Sequence, residues 1–157
     1  MSLFEDNSYI YRDTFFIYFD KTKRPSADKV QATLAGLGPG YETINLRESE
    51  GELESITVSS PHDFSAMDIT YVEGDEVSQA IHDVMEEFRT MTLAGDDQKK
   101  LARFSTTNAR FDIFHFEKMI DGGQDEFIDP GGLLVVLEAL AGLCDGISLD
   151  PQSHTLL

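Results

Sequence analysis

Four histidines are the side chains of this sequence best suited to acid–base or metal chemistry. They are His62, His82, His115 and His154, and His62 is followed directly by Asp63. A catalytic metal usually has three protein ligands, and none of the histidines belongs to a ligand pair spaced as HxH or HExxH. We therefore interpret His62-Asp63 as a surface pair. A metal-assisted hydrolase using His62, Asp63 and His115, or the carboxylates of segment 121–129, is kept as the enzymatic alternative.

His115 lies in an apolar segment, Phe111–Phe116, that the pattern predicts to be a strand. On such a strand it shares a face with Phe111 and Ile113. An imidazole in an aromatic pocket can act as a general base. A half-buried histidine that is satisfied by the backbone or by a carboxylate is the more frequent arrangement, and we favour it here.

An acidic, glycine-containing segment collects four carboxylates, those of Asp121, Asp125, Glu126 and Asp129. Calcium prefers oxygen ligands from a flexible loop, but an EF-hand needs acids at alternate positions and a glutamate at the twelfth. This spacing does not match, so we expect a solvated loop whose last aspartate caps a helix that begins at Pro130. No metal ion and no other cofactor is expected.

Four glutamates, Glu48, Glu50, Glu52 and Glu54, alternate along a segment that is predicted to form a hairpin turning near Gly51. Alternate residues of a strand share one face. The strip is either a surface for a basic partner or a sheet edge that charge protects from aggregation, and we favour the second interpretation.

The strong negative charge restricts the classes of partner. Twelve lysines and arginines face 29 acidic residues, which gives a formal charge of -17. Such a surface repels phosphate backbones and anionic lipids, so we expect neither a nucleic acid nor a membrane as partner. The longest apolar stretch, Leu133–Leu143, is also about half the length that a bilayer crossing needs. The charge suits a basic protein partner or a divalent cation, or it serves solubility, and we favour solubility as the reason for the charge. Among macromolecules, a protein that is itself basic is the partner that we expect.

The lone cysteine, Cys144, shares a predicted helix face with several leucines, so we interpret it as a core residue. One cysteine cannot form an intramolecular disulfide, which fits a reducing compartment, and we expect the cytoplasm. No nucleophile elbow, phosphate-binding loop or dinucleotide fingerprint is present.

These side chains have to be positioned by a single domain that spans residues 1–157. The predicted order of elements is β-α-β-β-β-α-β-α-β. Strands are predicted at 14–19, near 44–46 and 56–58, and at 67–71, 111–116 and 147–149. Helices are predicted at 26–37, 75–91 and 133–144, with a further short helix at 96–104.

This order predicts a two-layer α+β sandwich with a mixed or antiparallel sheet, helices packed on one face and a ferredoxin-like character. Strands 14–19 and 111–116 are apolar on both faces, whereas one layer of helices covers only one. We therefore expect a second subunit to cover the other face, and hence a homodimer.

The end of the chain, Leu133–Leu157, is similar to the C-terminal apolar helix, short strand and Asp-Pro-Gln tail of several small bacterial protein families. The resemblance rests on Asp150-Pro151-Gln152-Ser153. It implies no activity and assigns no functional residue.

We expect a non-enzymatic, acidic binding or regulatory protein, and specifically an inhibitor or immunity-type protein for a basic toxin or nuclease. Charge complementarity accelerates such an encounter. Besides the hydrolase, the other alternative is a small-molecule sensor that binds an apolar ligand between sheet and helices, near Tyr18, Phe114 or Phe116.

Overall fold

A computed structural model describes residues 8–38, 40–60, 65–91, 95–118 and 131–157. Within these ranges seven strands form one sheet in the order β2-β3-β4-β5-β1-β6-β7, and neighbouring strands are antiparallel. The strands are β1 (Tyr9–Phe19), β2 (Glu42–Ser49), β3 (Glu52–Ser60), β4 (Ser65–Glu73), β5 (Ala109–Lys118), β6 (Ile147–Asp150) and β7 (Thr155–Leu156). The α-helices are α1 (Ala27–Ala35), α2 (Asp75–Arg89), α3 (Gly95–Phe104) and α4 (Gly131–Cys144).

Strand β1 buries apolar side chains on both faces, as its unbroken apolar run predicts. Phe15, Ile17 and Phe19 pack with α1 and α4, whereas Phe16 and Tyr18 pack with α2 and α3. Successive side chains of a strand point to opposite faces, so this strand needs a cover on each side. β1 pairs with β5 along almost its whole length, and the two form the centre of the sheet.

Each face of the sheet therefore has its own pair of helices and its own core. The core on the side of α1 and α4 includes Val30, Leu34, Val136, Leu137 and Leu140. The core on the other side includes Val77, Ile81, Val84 and Phe88 of α2 and Phe104 of α3. The apolar residues of α2 follow helical spacing and are buried at these four positions. Met91 continues the spacing within the predicted helix 75–91, but it is exposed because the helix ends at Arg89.

The predicted α+β sandwich with an antiparallel sheet is confirmed, but the helices lie on both faces instead of one. The cover that we expected from a second subunit is supplied over β1 and β6 by α2 and α3, whereas Phe114 and Phe116 of β5 pack with Ala66. A ferredoxin-like arrangement is not confirmed, because β2, β3, β4 and β5 lie side by side in chain order instead of being interleaved.

Gly146 connects α4 to β6 at a point where the backbone passes close to β1. A Cβ atom at this position would lie 2.6 Å from Cγ2 of Ile17 and 3.1 Å from the carbonyl oxygen of Tyr18. Since one of these atoms belongs to the backbone, the chain cannot relax locally around a side chain here. The close approach of β6 to β1 therefore requires glycine.

We predict that Gly146→Ala lowers the free energy of unfolding by about 1–3 kcal/mol, because the added methyl group overpacks the core. Urea unfolding followed by circular dichroism measures the change. Gly142→Ala is the matched control, because nothing lies within 4 Å of its Cβ. In a helix interior that substitution should stabilise by up to about 1 kcal/mol. An unchanged stability for Gly146→Ala would contradict the close approach.

Candidate functional site

The hairpin of β2 and β3 turns through two residues in the left-handed region of backbone conformation. Glu50 has φ 53° and Gly51 has φ 82°, and Ser49 pairs with Glu52 around them. A two-residue turn with two positive φ angles favours asparagine, aspartate or glycine at its first position. A side chain such as that of Glu50 costs about 1–2 kcal/mol in this conformation. The tip of the hairpin therefore carries a carboxylate at a cost in stability.

The tip is attached to the start of α1. The backbone N–H of Ala27 donates a hydrogen bond of 2.9 Å to the carbonyl oxygen of Gly51, and Ser26 forms an isolated bridge with Glu52. Ser26 also caps α1, because its hydroxyl accepts the N–H of Lys29. Local hydrogen bonds therefore hold the hairpin tip against the body of the protein.

Arg24 neutralises part of the acidic strip. Its guanidinium group donates to the Glu52 carboxylate at 2.9 Å and to the Leu53 carbonyl oxygen at 2.6 Å, and it lies 3.7 Å from the Glu54 carboxylate. The same group stacks on the ring of Tyr71, 3.6 Å from its centroid. Two glutamates of the strip thus fix the loop before α1 onto β3.

All four glutamates of the strip are exposed, and Glu48 and Glu50 differ from Glu52 and Glu54 in their ion pairs. The ion pairs of the described residues include neither Glu48 nor Glu50. Earlier on strand β2, Ile44 and Leu46 expose 50% and 36% of their surface. Apolar side chains flanked by charged ones are typical of a protein-binding surface. We call Ile44, Leu46, Glu48 and Glu50 the hairpin surface.

A groove of about 710 Å³ adjoins the hairpin surface. Its lining consists of Leu46, Arg47, Glu48, Ser49, Glu54, Ser55, Thr70 and Tyr71. Burial raises the pKa of the Tyr71 phenol, as does the hydrogen bond of 2.7 Å that this phenol donates to Glu73. The groove therefore places a protonated phenol, one ring face of which Arg24 covers, near the carboxylates of Glu48 and Glu54 and the guanidinium group of Arg47.

Strand β2 lies at an edge of the sheet, and its geometry disfavours the addition of another strand. Asn45 has φ 55°, and the register with β3 shifts between Ile44 and Arg47. Bulges and charges are the usual means by which proteins keep edge strands from pairing with other chains. A partner would therefore meet the side chains of the hairpin surface rather than extend the sheet.

His115 is paired with a carboxylate, in line with the interpretation that we favoured. Its Nδ1 lies 2.9 Å from Oδ1 of Asp13 on the neighbouring strand β1. Both residues are on the face of the sheet that α1 and α4 cover, where His115 is 6% exposed. The pair satisfies a buried imidazole and fixes the orientation of its ring.

The other residues proposed for metal or hydrolytic chemistry, His62, Asp63 and the acidic segment 121–129, lie outside the described residues. Where the structure describes the chain, no three histidine, cysteine or acidic side chains come close enough to hold a metal ion. Burial raises the pKa of the Cys144 thiol to about 12, and this thiol donates to the Leu140 carbonyl oxygen at 3.3 Å. Cys144 is thus a core residue, as predicted.

The aromatic residues proposed for a sensor pocket belong to two separate clusters. Tyr18 packs against Phe104, with ring centroids 5.0 Å apart. Phe116 and Phe114 pack instead with Ala66.

A buried polar network was missed by sequence reasoning. The Arg110 guanidinium group donates to the Asp112 carboxylate at 2.5 Å, lies 3.3 Å from that of Glu76, and has its Cζ atom 4.6 Å from the ring centroid of Phe16. Burial raises the pKa of Asp112, although Arg110 opposes the shift. The spacing Arg110-x-Asp112 places both side chains on one face of β5. This spacing is the sequence signal from which the pair could have been predicted. The network ties β5 to α2.

Comparisons of this chain with protein-family models, curated proteins and solved structures found no match. In the part of the chain that the structure describes, no helix is both long and apolar enough to cross a bilayer. Its function therefore has to follow from its own contacts and charges.

We predict that Glu50→Asn raises the free energy of unfolding by about 1 kcal/mol, because asparagine tolerates the left-handed conformation better than glutamate. Glu48→Asn is the matched control, since it removes the same charge from a strand position and should bring no such gain. Urea unfolding of both variants measures the difference. Equal effects would show that charge relief, and not backbone strain, is responsible.

We predict that Asp112→Asn destabilises the protein by about 3 kcal/mol, because Arg110 then stays buried without its closest counter-charge. The double variant Arg110→Met/Asp112→Asn should lose less free energy of unfolding, because it also removes the buried, unpaired guanidinium charge. Denaturant unfolding of both variants and of Arg110→Met completes a double-mutant cycle, which measures the coupling between the two side chains. Additive losses would contradict a coupled pair.

Proposed function

We propose that this chain is a non-enzymatic binding protein whose hairpin surface docks a basic protein partner. The observation that carries the proposal is the acidic tip held against α1, where Glu48 and Glu50 follow the exposed side chains of Ile44 and Leu46 along β2 and its turn. A carboxylate held at a conformational cost is more easily explained by binding than by stability.

The charge distribution supports a basic partner. Much of the positive charge is taken up by internal ion pairs, which involve Arg12, Lys23, Arg24, Arg89, Arg103 and Arg110. The field beyond the surface is therefore dominated by acids, in keeping with a net charge of -17. Such a field accelerates association with a basic protein and repels nucleic acids and anionic membranes.

An inhibitor or immunity-type role fits this surface. Apolar side chains in the middle of a contact supply most of the binding energy, and surrounding charges give orientation and rate. On this surface Leu46 would enter the partner's contact face while Glu48 and Glu50 pair with its lysines or arginines. We place this activity in the cytoplasm, because the lone Cys144 suits a reducing compartment.

A homodimer stays a prediction. The glutamates of two hairpins would repel each other, so a second copy would have to use another surface. Light scattering tests the mass, and a monomer at high concentration would rule the dimer out.

The docking proposal is tested by titrating the protein with a peptide of alternating lysine and leucine in a calorimeter. Glu48→Gln/Glu50→Gln should weaken binding about tenfold, which corresponds to about 1.4 kcal/mol. Leu46→Ser should weaken it as well. Raising the salt concentration should reduce the affinity of the native protein more than that of the double variant.

The matched control is Glu86→Gln/Glu87→Gln, which removes the same charge from exposed positions of α2. Its affinity for the peptide should stay within about twofold, because exposed ion pairs contribute little. If both double variants weaken binding equally, the peptide is responding to overall charge, and the hairpin surface is not the site.

A further inference from the structure

A second groove, of about 390 Å³, lies between α4 and β6, far along the sheet from the hairpin surface. One wall is a stripe of α4 residues at helical spacing, Leu134, Leu137 and Ala141, and the opposite wall is Leu157. The floor consists of Gly146 and Ser148. A volume of this order is typical of small-molecule sites.

The groove exists because β6 presents small residues to this side. Ile147 and Leu149 point to the opposite face, where they join the core with α2 and α3. Gly146 and Ser148 therefore face α4, and Gly146 has no room for a side chain because of Ile17. The depression follows from the packing of β6 on β1.

The outer side of α4 is more exposed than its apolar sequence predicts. Leu134 and Val135 expose 49% and 42% of their surface. Helix α1 and the sheet cover only part of it. Apolar surface that borders a groove is a favourable contact for a hydrocarbon chain.

The polar groups of the groove decide which ligand fits. Glu138 is its one charged lining residue, and Ser148 adds a hydroxyl. The nearby cation, Lys100, donates a hydrogen bond of 3.0 Å to the carbonyl oxygen of Leu157. We propose that this groove binds a small single-chain amphiphile, with the alkyl chain against Leu134, Leu137 and Ala141 and an ammonium head group at Glu138.

The test uses octylammonium as the probe, with octanoate and octanol as probes of equal chain length. Calorimetry and methyl NMR should show saturable binding of octylammonium, with shifts at Leu134 and Ala141. The affinity should be about fivefold lower for octanol, which lacks the charge, and lower still for octanoate, which Glu138 repels. Glu138→Gln should weaken binding of octylammonium about fivefold, as expected for an exposed ion pair. Equal binding of the three probes would overturn the proposal.

Two variants test the location. Ala141→Leu should fill the groove and abolish binding, whereas Ala102→Leu, at an exposed position of α3, should leave it unchanged. Leu134→Gln, which changes an exposed side chain, should weaken binding without affecting the fold, as circular dichroism can verify. Unchanged binding in both groove variants would place the amphiphile elsewhere. Glu48→Gln/Glu50→Gln should retain octylammonium binding, so the failure of either proposal leaves the other intact.

Discussion

The pairing of β1 with β5 determines the arrangement of everything else in this protein. Each strand carries apolar side chains on both faces, so water has to be excluded from both sides of the sheet at its centre. Helices α1 and α4 meet this requirement on one face. On the other face, α2 and α3 cover β1, and Phe114 and Phe116 of β5 pack with Ala66. Strand β2, at one edge of the sheet, is exposed along most of its length, and the groove beside α4 borders β6 near the other edge. Both candidate binding surfaces lie at these margins, where fewer side chains are needed to pack the core.

Much of the fold follows from local sequence pattern. The strand at Thr14–Phe19, the cap at Ser26 and the buried stripe of α2 all depend on residues that are close in sequence, so periodicity reveals them. The face of the sheet on which each helix packs does not follow from local sequence pattern. It depends on the direction in which the connecting segments cross the sheet, and periodicity gives no information about that direction. The predicted single layer of helices failed for this reason.

The candidate site could be predicted in part. The alternating glutamates were visible in the sequence. Which of them form ion pairs was not. Glu52 and Glu54 are held by Arg24, which lies 28 residues from Glu52, and only tertiary structure brings them together. Likewise, the left-handed conformation of Glu50 follows from the two-residue turn, whose length depends on the pairing of Ser49 with Glu52. The groove beside α4 had no sequence signal, because it arises from small residues next to a long-range contact.

The central pairing also has a consequence for how the chain acquires its structure. Asp13 and His115 are 102 residues apart in sequence, whereas β2, β3 and β4 are joined by short connections. Contacts between residues distant in sequence form late, because a large loop has to close first. During synthesis the first strand leaves the ribosome long before its partner exists. Its two apolar faces stay without their final cover in that interval, which makes the nascent chain a candidate client for chaperones.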